Sequence, residues 1–175
     1  MDKKLEKQLF EKYPKIFKQK DDSIKTSCMP WGINVEDGWY RLIDNLCECI
    51  QSYIDQNRHN IDMQLETVQV KEKLAGLRFY TSWIKIKDKN KDNKCVTEES
   101  RKRAFELIEG MIWFAEHLST SICENCGSPG KVRTTGYCLK TLCEKCKKKL
   151  KYRDIKKESE HTKVSIKGNG VEIKK

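Results

Sequence analysis

Two cysteine pairs carry the most specific chemistry in this chain: Cys123-x-x-Cys126 and, after sixteen residues, Cys143-x-x-Cys146. Two intervening residues let both thiolates of a tight knuckle face one metal ion. A second knuckle completes a tetrahedral set with bonds of roughly 2.3 Å. The spacer lies within the ~15–20 residues expected of a four-cysteine zinc site. Gly127 and Gly130 stand where a knuckle backbone turns sharply, and Cys138 breaks the paired spacing and is left out of the ligand set. Four sulfurs leave no position for water, so the expected zinc, one per chain, is structural. It would add folding free energy to a segment too short to hold a core. Four unrelated buried cysteines, or a redox pair at one Cys-x-x-Cys, are the competing readings, and two pairs at this spacing speak against both.

A second constellation is cationic and aromatic. Lys71, Lys73, Arg78 and Tyr80 fall on an expected hairpin, and Trp31, Trp39 and Arg41 lie in segments that can meet it. Strand alternation puts Lys71 with Lys73, and Arg78 with Tyr80. If the register aligns those faces, they and Trp39 form a seat for a nucleotide, by ion pairing to phosphate and stacking on a ring. The competing reading is ordinary cross-strand pairing, with Arg78 bound to an acid such as Glu72. Asp37, Asp44 and Glu48 have the spacing of a solvated helix face, and His59, His117 and His161 are scattered. No catalytic residues are assigned, and a nuclease or phosphodiesterase is the least favoured class. Cys28, Cys47, Cys49 and Cys95 lack partners at ligand spacing, and Cys47 reads as a small core residue.

These groups must be positioned by a chain of 175 residues, enough for one domain and an appendage. Apolar residues make up 37%, and no run approaches the ~18 of a membrane span. Met1-Asp2-Lys3-Lys4-Leu5-Glu6 is not an export signal, so a cytoplasmic location is expected. Nine cysteines, an odd count, then favour metal over disulfides.

The periodicity predicts an α+β body over 1–118. Leu5, Leu9, Phe10, Tyr13, Ile16 and Phe17 mark a short amphipathic helix interrupted near Pro14. Trp39, Leu42, Ile43, Leu46, Cys47, Ile50 and Ile54 mark a long one, with Asp37 as its N-cap. Residues 63–71 and 77–84 read as strands of a hairpin with Gly76 at or beside the turn, and 85–94 as a solvated loop. A second long helix runs from about Thr97, its cap, to Leu118, burying Phe105, Ile108, Met111, Ile112, Ala115 and Leu118. A four-cysteine zinc ribbon over 119–150 and a basic tail over 151–175 follow. The tail carries a hairpin signal around Gly168-Asn169-Gly170, from Val164 to Ile173.

Charge is concentrated at that end. Of the net +10, residues 147–175 supply +7, from eleven Lys/Arg and four acids. Such a tail beside a ribbon suits phosphate-rich partners, though it equally suits a solvated tail. Lysine outnumbers arginine, which favours non-specific phosphate attraction over bidentate base reading.

The order Met29-Pro30-Trp31-Gly32, Asp37-Gly38-Trp39-Tyr40-x-Leu42-Ile43-Asp44-x-Leu46-Cys47, Gln69-Val70-Lys71-Glu72-Lys73-Leu74-Ala75-Gly76-Leu77-Arg78-Phe79-Tyr80 and Cys123-x-x-Cys126-Gly127-x-Pro129-Gly130 resembles a family of small phage and prophage proteins. The resemblance covers roughly 5–146. In that pattern Leu74 is commonly Phe and the last ligand often His, and Cys146 keeps a metal-competent group. It implies a phage accessory protein in a bacterial cytoplasm; small non-catalytic phage proteins of this size often counter host defence, some of them by capturing nucleotide signals. Two function classes follow: a non-enzymatic binder of an anionic nucleotide, or a DNA- or RNA-binding protein acting through its tail. A homo-oligomer is compatible with both.

Overall fold

A computed structural model describes residues 1–86 and 96–155, together with the backbone of two short strands nearer the C-terminus. α1 (Lys3–Lys12) begins where the Asp2 carboxylate accepts from the Lys4 N–H and ends just before Pro14, which lacks the N–H to continue it. Leu9, Tyr13, Ile16 and Phe17 are buried. The buried Glu6 carboxylate reaches across to accept from the Ile33 N–H at 2.7 Å. Its oxygen occupies the space a side chain at Gly32 would need, and Gly32 has φ +79°. This contact seats β1 (Ile33–Asn34) in parallel beside β2 (Met63–Lys73).

β2 pairs antiparallel with β3 (Gly76–Lys85) around a two-residue turn, Leu74-Ala75, so the sheet order is β1-β2-β3. Both turn residues have positive φ, 53° and 64°, a conformation that hairpins usually give to Asn-Gly. Two tertiary bonds hold it here. The Ala75 N–H donates to Glu72 at 2.6 Å, and its carbonyl accepts from the buried Thr141 hydroxyl at 2.8 Å. The simple alternation expected for β2 is broken by a bulge at Val68, where the register shifts between Thr67 and Gln69. The Val68 carbonyl accepts instead from the Cys28 N–H and the Ser27 hydroxyl.

α2 (Tyr40–Gln56) buries Leu42, Ile43, Leu46, Cys47, Ile50 and Ile54. Asp37 does not cap it: residues 37–39 form a tight turn before the helix, and the Asp37 carboxylate accepts from the Asp2 N–H at 2.6 Å. α3 (Glu98–Ser119) starts from a reciprocal cap, in which Thr97 and Ser100 each bind the other's backbone N–H. Ile108, Ile112 and Ala115 enter the same core as α2 and the sheet. Phe105 and Leu118, expected inside, are exposed by 47% and 37%, because α3 presents only a narrow stripe to the body.

A bidentate pair ties α3 to the residue just before β2: Arg101 donates to both Asp62 oxygens, at 2.8 and 2.9 Å. The guanidinium holds the Asp62 carboxyl below the usual carboxylate range. The pair therefore contributes stability above the unfolded pKa near ~3.9, and that contribution is lost as pH falls through the lower folded value. Asp62→Asn is expected to lower stability by about 1–2 kcal/mol at pH 7, since Arg101 is partly solvated. Urea titrations should show the gap between variant and wild type closing as pH falls below the unfolded value. A gap that stays constant as acid is added would contradict this.

Beyond α3 the chain forms a cysteine-bearing unit: β4 (Lys131–Thr134), β5 (Leu139–Leu142), α4 (Glu144–Lys149) and β6 (Arg153–Asp154), with sheet order β5-β4-β6. Because β6 pairs with β4, this unit extends past the expected limit at 150 to Asp154. Buried Arg133 clamps it by pairing with Glu144 and Asp154. β7 (Ser165–Lys167) and β8 (Gly170–Glu172) pair antiparallel, within the range expected for a terminal hairpin. The expected loop at 85–94 lies, from 87 on, outside the described residues, as do Cys95, His161 and the side chains of 156–175.

Candidate functional site

Cys123 and Cys126 sit on the turn after α3, and Cys143 and Cys146 where β5 passes into α4. Each pair is a local knuckle: the Gly127 N–H returns to the Cys123 carbonyl at 2.8 Å, and the Lys147 N–H to the Cys143 carbonyl at 2.8 Å. Gly127 has φ +78°, the left-handed turn expected of it. The four sulfurs all lie within 4.8 Å of one another, and Cys126 Sγ is 3.7 Å from Cys143 Sγ. An edge of a tetrahedron with ~2.3 Å bonds is about 3.8 Å, so the cluster fits a four-coordinate thiophilic ion. The expected exclusion of Cys138 agrees with its position, exposed and outside the group.

The environment divides the thiols. Hydrogen bonds from Ser128 bring Cys126 down to about 6, whereas burial pushes Cys123 up and Cys146 up to about 12. A cation among them favours the deprotonated form of all four. Cys143 has a second role, since its sulfur accepts from the Cys146 N–H at 3.4 Å and caps α4.

The knuckle is pressed against the body. The Gly38 N–H donates to the Glu124 carbonyl at 2.7 Å, and the Trp39 indole N–H to the Ile122 carbonyl at 2.9 Å. Lys140 bridges Glu36 at 2.9 Å and buried Glu124 at 3.5 Å. Burial pushes the Glu124 carboxyl up, against the pull of Lys140. Glu36, Gly38, Glu124, Lys140 and Thr141 were not legible as a seam, because each is an unremarkable residue until the two units meet.

The hairpin residues are partly gathered. Asn34, Lys71 and Arg78 are register partners in one row across the three strands, and Tyr80 lies one pleat further along β3 on the same face. The Lys71 ammonium sits 5.4 Å from the Tyr80 ring centroid. Lys73 is exposed near the turn, opposite Gly76. Arg78 is partly engaged, donating to the Leu77 carbonyl at 2.7 Å and lying 3.7 Å from Glu116, not Glu72. Trp39 does not belong to this face: it is fully buried and tied to Ile122, so a ligand on the hairpin cannot stack on it. Trp31, 66% exposed, is the aromatic that does line an open pocket of about 550 Å³, with Asn34, Lys71, Glu72 and Lys140.

Comparison with protein-family models, with curated proteins and with solved structures returned no match. Among the described residues, no helix is long and apolar enough to cross a membrane.

Proposed function

We propose that this chain is a non-enzymatic, zinc-stabilised protein that binds an anionic, nucleotide-type ligand on the exposed face of β2 and β3. One structural Zn²⁺ held by Cys123, Cys126, Cys143 and Cys146 would make the segment after α3 a zinc ribbon, docked on a body with two long helices. The observation that carries the ligand reading is the Lys71–Arg78 row, with Lys71 over Tyr80 and beside the Trp31 pocket. Phosphate accepts charge-assisted hydrogen bonds from such cations, and an exposed indole offers a ring for a base. In the phage setting that the sequence resemblance implies, the ligand would be a host defence signal, sequestered in the cytoplasm of the infected cell.

The test is equilibrium dialysis of the full chain against ADP. Lys71→Ala is expected to weaken binding about 10- to 100-fold, the scale of a hydrogen bond to a charged group. Its fold should be unchanged, since Lys71 is not part of the core. Arg78→Ala should weaken binding less and also lower the melting temperature, because Arg78 is shared with Leu77 and Glu116. Wild-type affinity in Lys71→Ala removes this face from the function.

The second reading, DNA or RNA binding through the basic end, is favoured by Lys145, Lys148, Lys149 and Lys151. These stand on or beside α4 and have no ion-pair partner among the described residues. It predicts binding of a single-stranded oligonucleotide that falls steeply with salt, whereas nucleotide binding at a compact site responds modestly.

A further inference from the structure

α3 leaves a second apolar stripe in solvent beside the one it buries. Trp113 is 68% exposed, Phe114 61%, Leu107 46% and Leu118 37%. Single exposed apolar residues are ordinary, but a contiguous group of this size on one helix marks a contact surface. Arg103, Leu107, Gly110, Phe114 and His117 follow alternating steps of four and three, the seam spacing of paired helices. Gly110, at the centre of that seam, has nothing within 4 Å of where a side chain would begin. A glycine inside a helix weakens it, and among the described residues nothing packs on this one.

We infer that α3 pairs antiparallel with α3 of a second copy of this chain, with Phe114 of each copy filling the gap over Gly110 of the other. A two-fold interface must be self-complementary, residue i meeting j and j meeting i, and this register satisfies that with a large side chain opposite a missing one. It also places Leu107 against His117 of the second copy, with Trp113 and Leu118 on the flanks. The four apolar residues offer on the order of 400 Å² per chain, given that an aromatic side chain presents ~150–250 Å². Both copies with their polar rim then reach roughly 1,200 Å², the lower edge of stable interfaces. That area commits the assignment to a dissociable dimer.

Sedimentation velocity of the full chain from about 1 to 100 µM, a range in which small interfaces dissociate, tests it. The expected result is a shift with concentration toward twice the 20.6 kDa chain mass. Phe114→Glu should remain monomeric throughout with an unchanged melting temperature, since Phe114 lies outside the core. Gly110→Leu should weaken dimerisation at least tenfold without lowering the melting temperature, because leucine favours helix and meets open space. A wild-type chain that stays monomeric at the highest concentration overturns the inference. So does a dimer that survives Phe114→Glu, which would place the interface elsewhere. A monomer that retains a different protein on α3 overturns it too, by giving the face another occupant.

Discussion

Cys143→Ser is expected to unfold the segment from Ile122 to Asp154 while α2, α3 and the central sheet stay folded. Serine caps a helix as well as a cysteine sulfur does, so the substitution spares the start of α4 and removes chiefly one thiol of the four-cysteine cluster. The unit's own core is small, consisting of Cys123, Leu142 and Cys146 with Cys143 and Tyr152 against it, and most of those residues belong to the cysteine cluster. Structural zinc contributes apparent free energies of about 10–16 kcal/mol in small metal-dependent folds. The Arg133 clamp to Glu144 and Asp154 involves two exposed carboxylates and cannot replace that. The body, by contrast, has a continuous apolar core of its own. Hydrogen exchange read on peptides from 122–154 and from 40–56 separates the two: protection should be lost in the first and kept in the second. Zinc content should fall from one per chain toward zero. Acid should act in the same direction, because ligands must be deprotonated to hold the ion and falling pH returns protons to them. A zinc-free chain whose 122–154 peptides remain protected would refute the metal's structural role.

The second large effect is expected at Gly38, a position with ordinary φ. A Cβ there would lie 2.2 Å from the Cys123 carbonyl oxygen, 2.5 Å from that of Glu124 and 2.5 Å from the Gly127 nitrogen. All three are backbone atoms, so no side chain can swing away to make room. Gly38→Ala must therefore push the knuckle off the body, stretching the Gly38–Glu124 bond and withdrawing Ile122 from the Trp39 indole. Overpacking of this kind typically costs about 1–3 kcal/mol, and the buried indole N–H left unpaired adds about 1–3 kcal/mol. For a chain of this length a loss of ~3 kcal/mol lowers the melting temperature by roughly 6–12 °C. Zinc content should stay at one per chain, since no ligand is touched. That combination, full metal and a lower melting temperature, distinguishes a lost docking contact from a lost metal site. A melting temperature within about 2 °C of wild type would mean the two units are not held together here.

The cysteine spacing, the Thr97 cap and the apolar stripe from Leu42 to Ile54 were legible in the sequence. Each is governed by local geometry: a two-residue knuckle, one helical turn, a 3.6-residue period. The hairpin around Gly76 was legible for the same reason, as alternation over a few residues. Other features were settled only when distant segments met. Trp39 opens an apolar stripe in the sequence and so resembles any helix residue, yet its indole is consumed by Ile122, 83 positions away. Arg78 could have faced Glu72 or a ligand, and the packing of α3 against β3 gave it Glu116. Phe105 and Leu118 fit a buried helical face by period alone, but the width of the face that α3 buries depends on what it packs against. Local spacing determines which residues can share a knuckle, a turn or a stripe. Which of those surfaces becomes interior is decided by the docking of units whose contacts span dozens of residues, and sequence periodicity does not encode that distance.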